Sequence, residues 1–88
     1  MTRRLTIINR RGLHARAAAK FATLAGTFKS DISVEFRDRR VNGKSIMGLM
    51  MLAATQGSEI DVSAGGPDDE QALEALQALV ENRFEEDV

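Results

Sequence analysis

The hydrophobic period of this 88-residue chain switches repeatedly between two and three-to-four, which restricts it to short strands mixed with helices. Residues 31–37 alternate cleanly. Ile32, Val34 and Phe36 fall on one face, and Ser33, Glu35 and Arg37 on the other. That pattern predicts a half-buried strand. Ser58 to Ala64 alternates in the same way, with Ile60 and Val62 inward and Glu59 and Asp61 outward. Residues 3–8, Arg-Arg-Leu-Thr-Ile-Ile, are β-branched and partly alternating, and read as a further strand. From about Ala15 to Phe28 the steps lengthen: Ala17/Ala18, Phe21, Leu24/Ala25 and Phe28 recur every three or four residues. Such spacing in an Ala-rich segment predicts a helix, its end loosened by Gly26 and Thr27.

The remaining punctuation completes the order. Asn9 to Gly12 is a polar loop. Asp38-Arg39 is a tight connection, and Arg40–Val41 begins a short strand. Asn42-Gly43 signals a turn, and Ser45 stands where an N-cap should, before a short helix over Ile46 to Ala53 with Leu49 and Leu52/Ala53 facing the core. Gly57 ends that region, and Gly65-Gly66-Pro67 breaks the chain after the Ser58–Ala64 strand. Asp68 with Gln71 three residues on predicts a capping box. Ala72, Leu73, Leu76, Leu79 and Val80 then form one apolar stripe to near Phe84. Asp68, Asp69 and Glu70 suit the positive end of that helix; Glu85-Glu86-Asp87 oppose its negative end, so the tail should fray. The expected fold class is α+β, one domain over residues 1–88, in the order βαββαβα. A four-stranded antiparallel sheet carries three helices on one face and meets solvent on the other.

Composition removes several functions. Cys is absent and His occurs once, so neither a disulfide, a thiolate nor a zinc site of the usual kind can be built; no metal and no cofactor are expected. The longest apolar run is the nine residues from Ile46 to Ala54, against the ~20 of a membrane span, and the basic start lacks a secretory apolar core. No membrane association is expected, and a cytoplasmic location fits. Trp and Tyr are absent, so base stacking is poorly supplied and no nucleic-acid partner is expected. The formal net charge of −1 is a cancellation. Residues 1–44 hold eleven Lys and Arg against three Asp and Glu; residues 45–88 hold one against ten. That split predicts a positive docking end and a negative body.

The sharpest local feature is Gly12-Leu13-His14-Ala15-Arg16, where a loop meets the first helix. Gly permits close approach of the chain. The first N–H groups of a helix lack internal acceptors and, with the dipole, favour an anion. Arg16 adds a donor fork suited to phosphate oxygens. Beside these donors, a neutral His14 offers a free nitrogen lone pair. A nucleophile and an anion cradle on one helix end describe a phosphoryl acceptor.

This motif, followed by Ala18, Lys20 and Phe21, resembles the active-site motif of HPr, the histidine-containing phosphocarrier family of the phosphoenolpyruvate-dependent phosphotransferase system. Asn42-Gly43-Lys44-Ser45-Ile46-Met47-Gly48-Leu49 resembles the family's serine site and second helix, and Thr55-Gln56-Gly57 also fits. One departure is Ala17, where the family usually has Pro. The resemblance implies an open-faced β-sandwich. It implies a phosphocarrier, not a stand-alone catalyst: His14 accepts a phosphoryl group on Nδ1 from phosphorylated enzyme I and donates it to an enzyme IIA-type protein, and Arg16 stabilises the group in transit. The alternative is a nitrogen-branch regulatory protein of the same family, controlling partners without sugar transport. Either would work as a monomer. By the same resemblance Ser45 is a site for an HPr kinase/phosphorylase, in addition to its role as a cap. Ile46, Met47 and Met50 are docking residues; the competing reading packs the methionines against the first helix. Arg10, Arg11 and Lys20 could steer an acidic partner, while Arg3/Arg4 and Arg39/Arg40 read as solvated surface.

Overall fold

Ile32 and Val34 face the same way as Ile60 and Val62 on the neighbouring strand, and that shared face is the floor of the core. A computed structural model describes residues 1–86. Its strands are β1 (Thr2–Thr6), β2 (Asp31–Phe36), β3 (Arg39–Asn42) and β4 (Glu59–Gly65); its helices are α1 (Ala15–Ala25), α2 (Ile46–Met51) and α3 (Asp69–Glu81). The strands form one antiparallel sheet in the order β1-β4-β2-β3, with Leu5 opposite Ile60 and Val34 opposite Val62. The α+β class and the βαββαβα order stand as the periodicity predicts.

The three helices bury their apolar stripes against this floor: Ala17, Ala18 and Phe21 from α1, Leu49 from α2, Leu73, Leu76 and Val80 from α3. Burying a side chain as large as Leu76 contributes roughly 1.5–3 kcal/mol relative to exposure. The other sheet face carries polar pairs, including Thr2 Oγ1 with Ser63 Oγ at 2.8 Å and Arg40 donating to Ser33 Oγ at 3.1 Å.

Several boundaries differ from the sequence pattern, each for a local reason. β1 stops at Thr6 because its partner strand starts at Glu59; Ile7 instead bonds loop residues, its N–H to Ser58 O at 2.8 Å and its carbonyl from Gly57 N–H at 2.7 Å. α1 ends at Ala25, short of Phe28, because the Thr27 hydroxyl takes the Leu24 carbonyl at 2.7 Å. Phe28 still packs against the core from the following turn. The hairpin turn is Arg37-Asp38, since Phe36 and Arg39 pair directly. α2 stops at Met51; Leu52 is buried, but Ala53 is exposed at φ +53°, and Ala54 takes the core position instead.

Two expectations fail at the ends of α3. Asp68 precedes the helix but makes no side-chain cap. Its carboxylate turns to the loop after α1, accepting from Lys29 N–H, Ser30 N–H and the Ser30 hydroxyl. The tail does not fray over its described part. Arg83, Phe84 and Glu85 adopt positive φ of 57°, 53° and 61°, a left-handed turn that drives Phe84 into the core and folds Glu85 and Glu86 back over α1. Asp87 lies outside the described residues.

The charge split along the chain does not become a positive end and a negative body. Antiparallel pairing sets basic β1 beside acidic β4, and Arg4 Nε lies 3.0 Å from Asp61. Arg3 donates to Gln77 at 2.9 Å and to Glu74 at 3.4 Å. Exposed pairs of this kind add little stability, but they interleave the two signs.

Candidate functional site

The loop before α1 is held in place from below. Gly12 sits at φ +68°, and a Cβ there would lie 2.5 Å from Ala54 O, so only glycine fits this approach. Leu13 N–H donates to that same Ala54 carbonyl at 2.9 Å. Asn9, fully buried, donates from Nδ2 to Gly12 O at 2.8 Å. These contacts fix where His14 begins the helix.

His14 is the N-cap of α1. Its backbone is extended, and its Nδ1 accepts from Arg16 N–H at 3.3 Å. The imidazole therefore points its Nδ1 lone pair into the cluster of N–H groups at the helix start. The first intrahelical bond runs from Ala18 N–H to His14 O, leaving the N–H groups of Ala15, Arg16 and Ala17 ahead of it. An anion attached to Nδ1 would meet these donors and the positive end of the helix dipole.

The other ring nitrogen faces a carboxylate. His14 Nε2 lies 3.2 Å from Glu86 Oε2, with both side chains mostly covered, 21% and 12% exposed. Nδ1 accepts and Nε2 faces an acceptor, so the geometry assigns the neutral tautomer with its proton on Nε2. Glu86 is fixed in turn: Oε2 accepts from Asn9 Nδ2 at 2.9 Å and Oε1 from Arg11 N–H at 3.3 Å. The Asn9 amide, then Arg11 and His14, hold the Glu86 carboxyl below its usual range against partial burial. Asn9 spends both amide hydrogens on this arrangement, and its Oδ1 finds no partner among the described residues.

Arg11, His14, Arg16, Ala17, Phe84, Glu85 and Glu86 line a small cavity of about 160 Å³. Arg16 reaches it as an exposed side chain with no ion pair among the described residues, ready for an anion. Lys20 pairs with Glu85 at 2.8 Å, so its charge is already matched. Ser45 caps α2, its Oγ accepting from Gly48 N–H at 3.0 Å. Beyond it, Ile46, Met47, Met50 and Met51 are 43%, 72%, 41% and 62% exposed. Met47 and Met51 thus face solvent for most of their surface, while Met50 is more than half covered. Arg39 and Lys44 are engaged instead of freely solvated, donating to Met51 O at 3.0 Å and Phe28 O at 2.9 Å.

Sequence spacing points to His14 and Arg16 at a helix start and to Ser45 as a cap, and the family resemblance adds the exposed side of α2. It misses Glu86, Asn9 and Glu85. The one signal for them is Phe84, an aromatic residue just past the end of α3 whose burial requires the chain to turn back.

The family described as PTS-HPr, "PTS HPr component phosphorylation site", matches residues 1–82. The phosphocarrier protein HPr of Cupriavidus necator is 51% identical over 86 residues, covering 98% of this chain and 97% of that protein. A crystal structure of HPr-C-His from Thermoanaerobacter tengcongensis superposes with a TM-score of 0.95 at 44% identity, over 100% of this chain and 99% of that one. A crystal structure of an HPr dimer from the same organism superposes at 0.79 with 48% identity, over 93% and 94% of the two chains.

Proposed function

The chain belongs to the HPr family and is a phosphocarrier of the phosphotransferase system, and from that premise we propose that His14 is its phosphoryl acceptor. The nitrogen-branch alternative is not favoured, because the relatives carry the plain HPr name; sugar uptake fits the system. The observation that carries the assignment is the N-cap geometry, in which Nδ1 is unprotonated and accepts from Arg16 N–H at the start of the helix.

The step balances without any proton leaving the ring. The Nδ1 lone pair attacks the phosphorus held by the donor protein. An N–P bond forms, and the donor's bond to phosphorus breaks with its electron pair leaving on the donor. The N–H groups ahead of Ala18 and the Arg16 guanidinium receive the phosphoryl oxygens. Onward transfer reverses these roles: the acceptor's lone pair takes phosphorus, and the imidazole departs as the neutral ring it was.

Enzyme I is the donor and an enzyme IIA-type protein the acceptor in this reading, and both dock on α2 through Ile46, Met47 and Met50. Exposed, adaptable methionines suit a surface that meets more than one partner. Lys20 of α1 is the fourth docking residue in this reading, and it is paired with Glu85. Ser45 is the site for an HPr kinase/phosphorylase; a phosphate there adds about 2 negative charges beside the apolar patch and opposes docking. The protein acts in the cytoplasm as one domain. A single copy suffices, since His14, Arg16 and every cap come from one chain. Among the described residues no helix is long and apolar enough to cross a membrane.

The decisive experiment supplies enzyme I, phosphoenolpyruvate and magnesium. An acid-labile phosphate forms on the protein and is absent from His14→Ala. Label that persists in His14→Ala removes the assignment.

A further inference from the structure

The Glu86 carboxylate sits on the side of the imidazole away from the reacting nitrogen, and nothing in the reaction as written needs it there. Reaching it takes an unusual path. After α3 the chain passes Asn82 and then three consecutive non-glycine residues at left-handed φ. L-residues avoid that region, and three in a row persist only where the surroundings hold them. Phe84 anchors the turn at 2% exposure, and Lys20 pins Glu85 at 2.8 Å. The next residue delivers a carboxylate with three donors converging on it: Asn9 Nδ2, Arg11 N–H and His14 Nε2.

We propose that Glu86 is the positioning residue for His14, accepting the Nε2–H so that the ring cannot turn and the Nδ1 lone pair stays on the helix start. This rests on His14 being the phosphoryl acceptor. Two consequences follow from the charge and place of Glu86. Before transfer, it keeps the proton on Nε2 and the lone pair on Nδ1. After transfer, the ring bears both the Nε2 proton and the phosphoryl group and is cationic; the carboxylate then faces that positive charge from the side opposite the phosphoryl oxygens. The buried Asn9 amide is the second support, since Asn9 ties the carboxylate to the loop that presents His14.

The test compares wild type with Glu86→Ala and Glu86→Gln, using ¹⁵N-histidine spectra and the kinetics of label uptake from phosphorylated enzyme I. Wild type shows a protected, downfield Nε2–H proton on His14, and Glu86→Ala loses it. Uptake at saturating enzyme I falls about tenfold in Glu86→Ala while the half-saturating concentration is unchanged. Glu86→Gln, which keeps an acceptor oxygen, falls between the two and serves as the folded comparison should the alanine variant fail to fold. Equal saturated rates in the variants and wild type overturn the proposal, as does a loss expressed only in the half-saturating concentration, which marks a docking role. Failure of the His14 assignment itself is read separately, as label retained by His14→Ala.

Discussion

Asp68 Oδ1 accepts both the backbone N–H and the hydroxyl of Ser30, at 2.9 and 2.6 Å, and so ties the start of α3 to the loop leaving α1. The Ser30 hydroxyl, followed by the Lys29 N–H, lowers the carboxyl from 3.8 to about 2. A carboxyl depressed in the folded state stabilises it above its unfolded pKa, and that stabilisation is lost as pH falls through the folded one. The window is therefore from about pH 4 down to about pH 2. Asp68→Asn is expected to be less stable than wild type at neutral pH, with a shallower loss of stability across that window. Urea unfolding at three pH values checks it. Asp61, Glu85 and Glu86 are also held low, so the variant keeps part of the acid dependence. Parallel acid limbs in the two proteins would contradict the assignment.

Gly12→Ala tests the loop that seats His14. The new Cβ meets Ala54 O at 2.5 Å and Thr55 Cα at 2.9 Å, both backbone and unable to yield cheaply. With φ at +68° added, the expected cost exceeds about 1 kcal/mol. The same displacement moves the Leu13 anchor, so phosphoryl uptake slows as well. Thermal unfolding and label uptake should fall together; an unshifted melting temperature would refute the close approach.

Ala17→Pro restores the residue usual in the family. The first intrahelical bond belongs to Ala18, so proline at position 17 removes no helix bond, and stability is expected to change by less than about 1 kcal/mol. It does remove one N–H from the group facing Nδ1. Losing one such donor corresponds to about 0.5–1.5 kcal/mol, so the phosphohistidine of Ala17→Pro is expected to hydrolyse about two- to tenfold faster. Equal lifetimes would place the Ala17 N–H outside the phosphoryl site.

What the sequence could disclose follows how local each determinant is. The strands at 31–36 and 59–65 and the stripe of α3 are written in residues two to four apart, so their periodicity predicts them. His14 is legible because its helix start, glycine and arginine are neighbours. Asp68 misleads because its own helix and a loop 38 residues earlier compete for one carboxylate, and only the fold brings that loop near. Glu86 misleads for the same reason at greater range. An acidic tail past a helix end reads as repelled by the dipole, and the 72-residue separation from His14 hides the partner that holds it. The charge split fails likewise, because antiparallel pairing of β1 with β4 mixes what the chain separates.

Met47 is 72% exposed, so Met47→Asp is expected to leave stability within about 0.5 kcal/mol of wild type. A buried charge at the centre of an apolar contact should nonetheless raise the half-saturating concentration of enzyme I at least fivefold, about 1 kcal/mol. Unfolding curves and label-uptake titrations separate the two effects. An unchanged titration would move the docking surface away from α2.

The cap made by Ser45 and the regulatory role proposed for it are separated by different substitutions. Its Oγ caps α2 by accepting from Gly48 N–H at 3.0 Å, and α2 has only six residues, so the cap is a large share of its order. Ser45→Ala removes the acceptor and is expected to cost about 1 kcal/mol, with label uptake little changed. Ser45→Asp keeps a competent cap, and its charge favours the helix start, so stability should stay near that of wild type. That carboxylate, however, stands beside Ile46 and Met47, and uptake from enzyme I should fall as it would with a phosphate there. Stability thus follows the alanine variant and phosphoryl uptake the aspartate variant. If Ser45→Asp takes up phosphate as fast as wild type, charge at this helix start does not govern docking, and Ser45 is a cap alone.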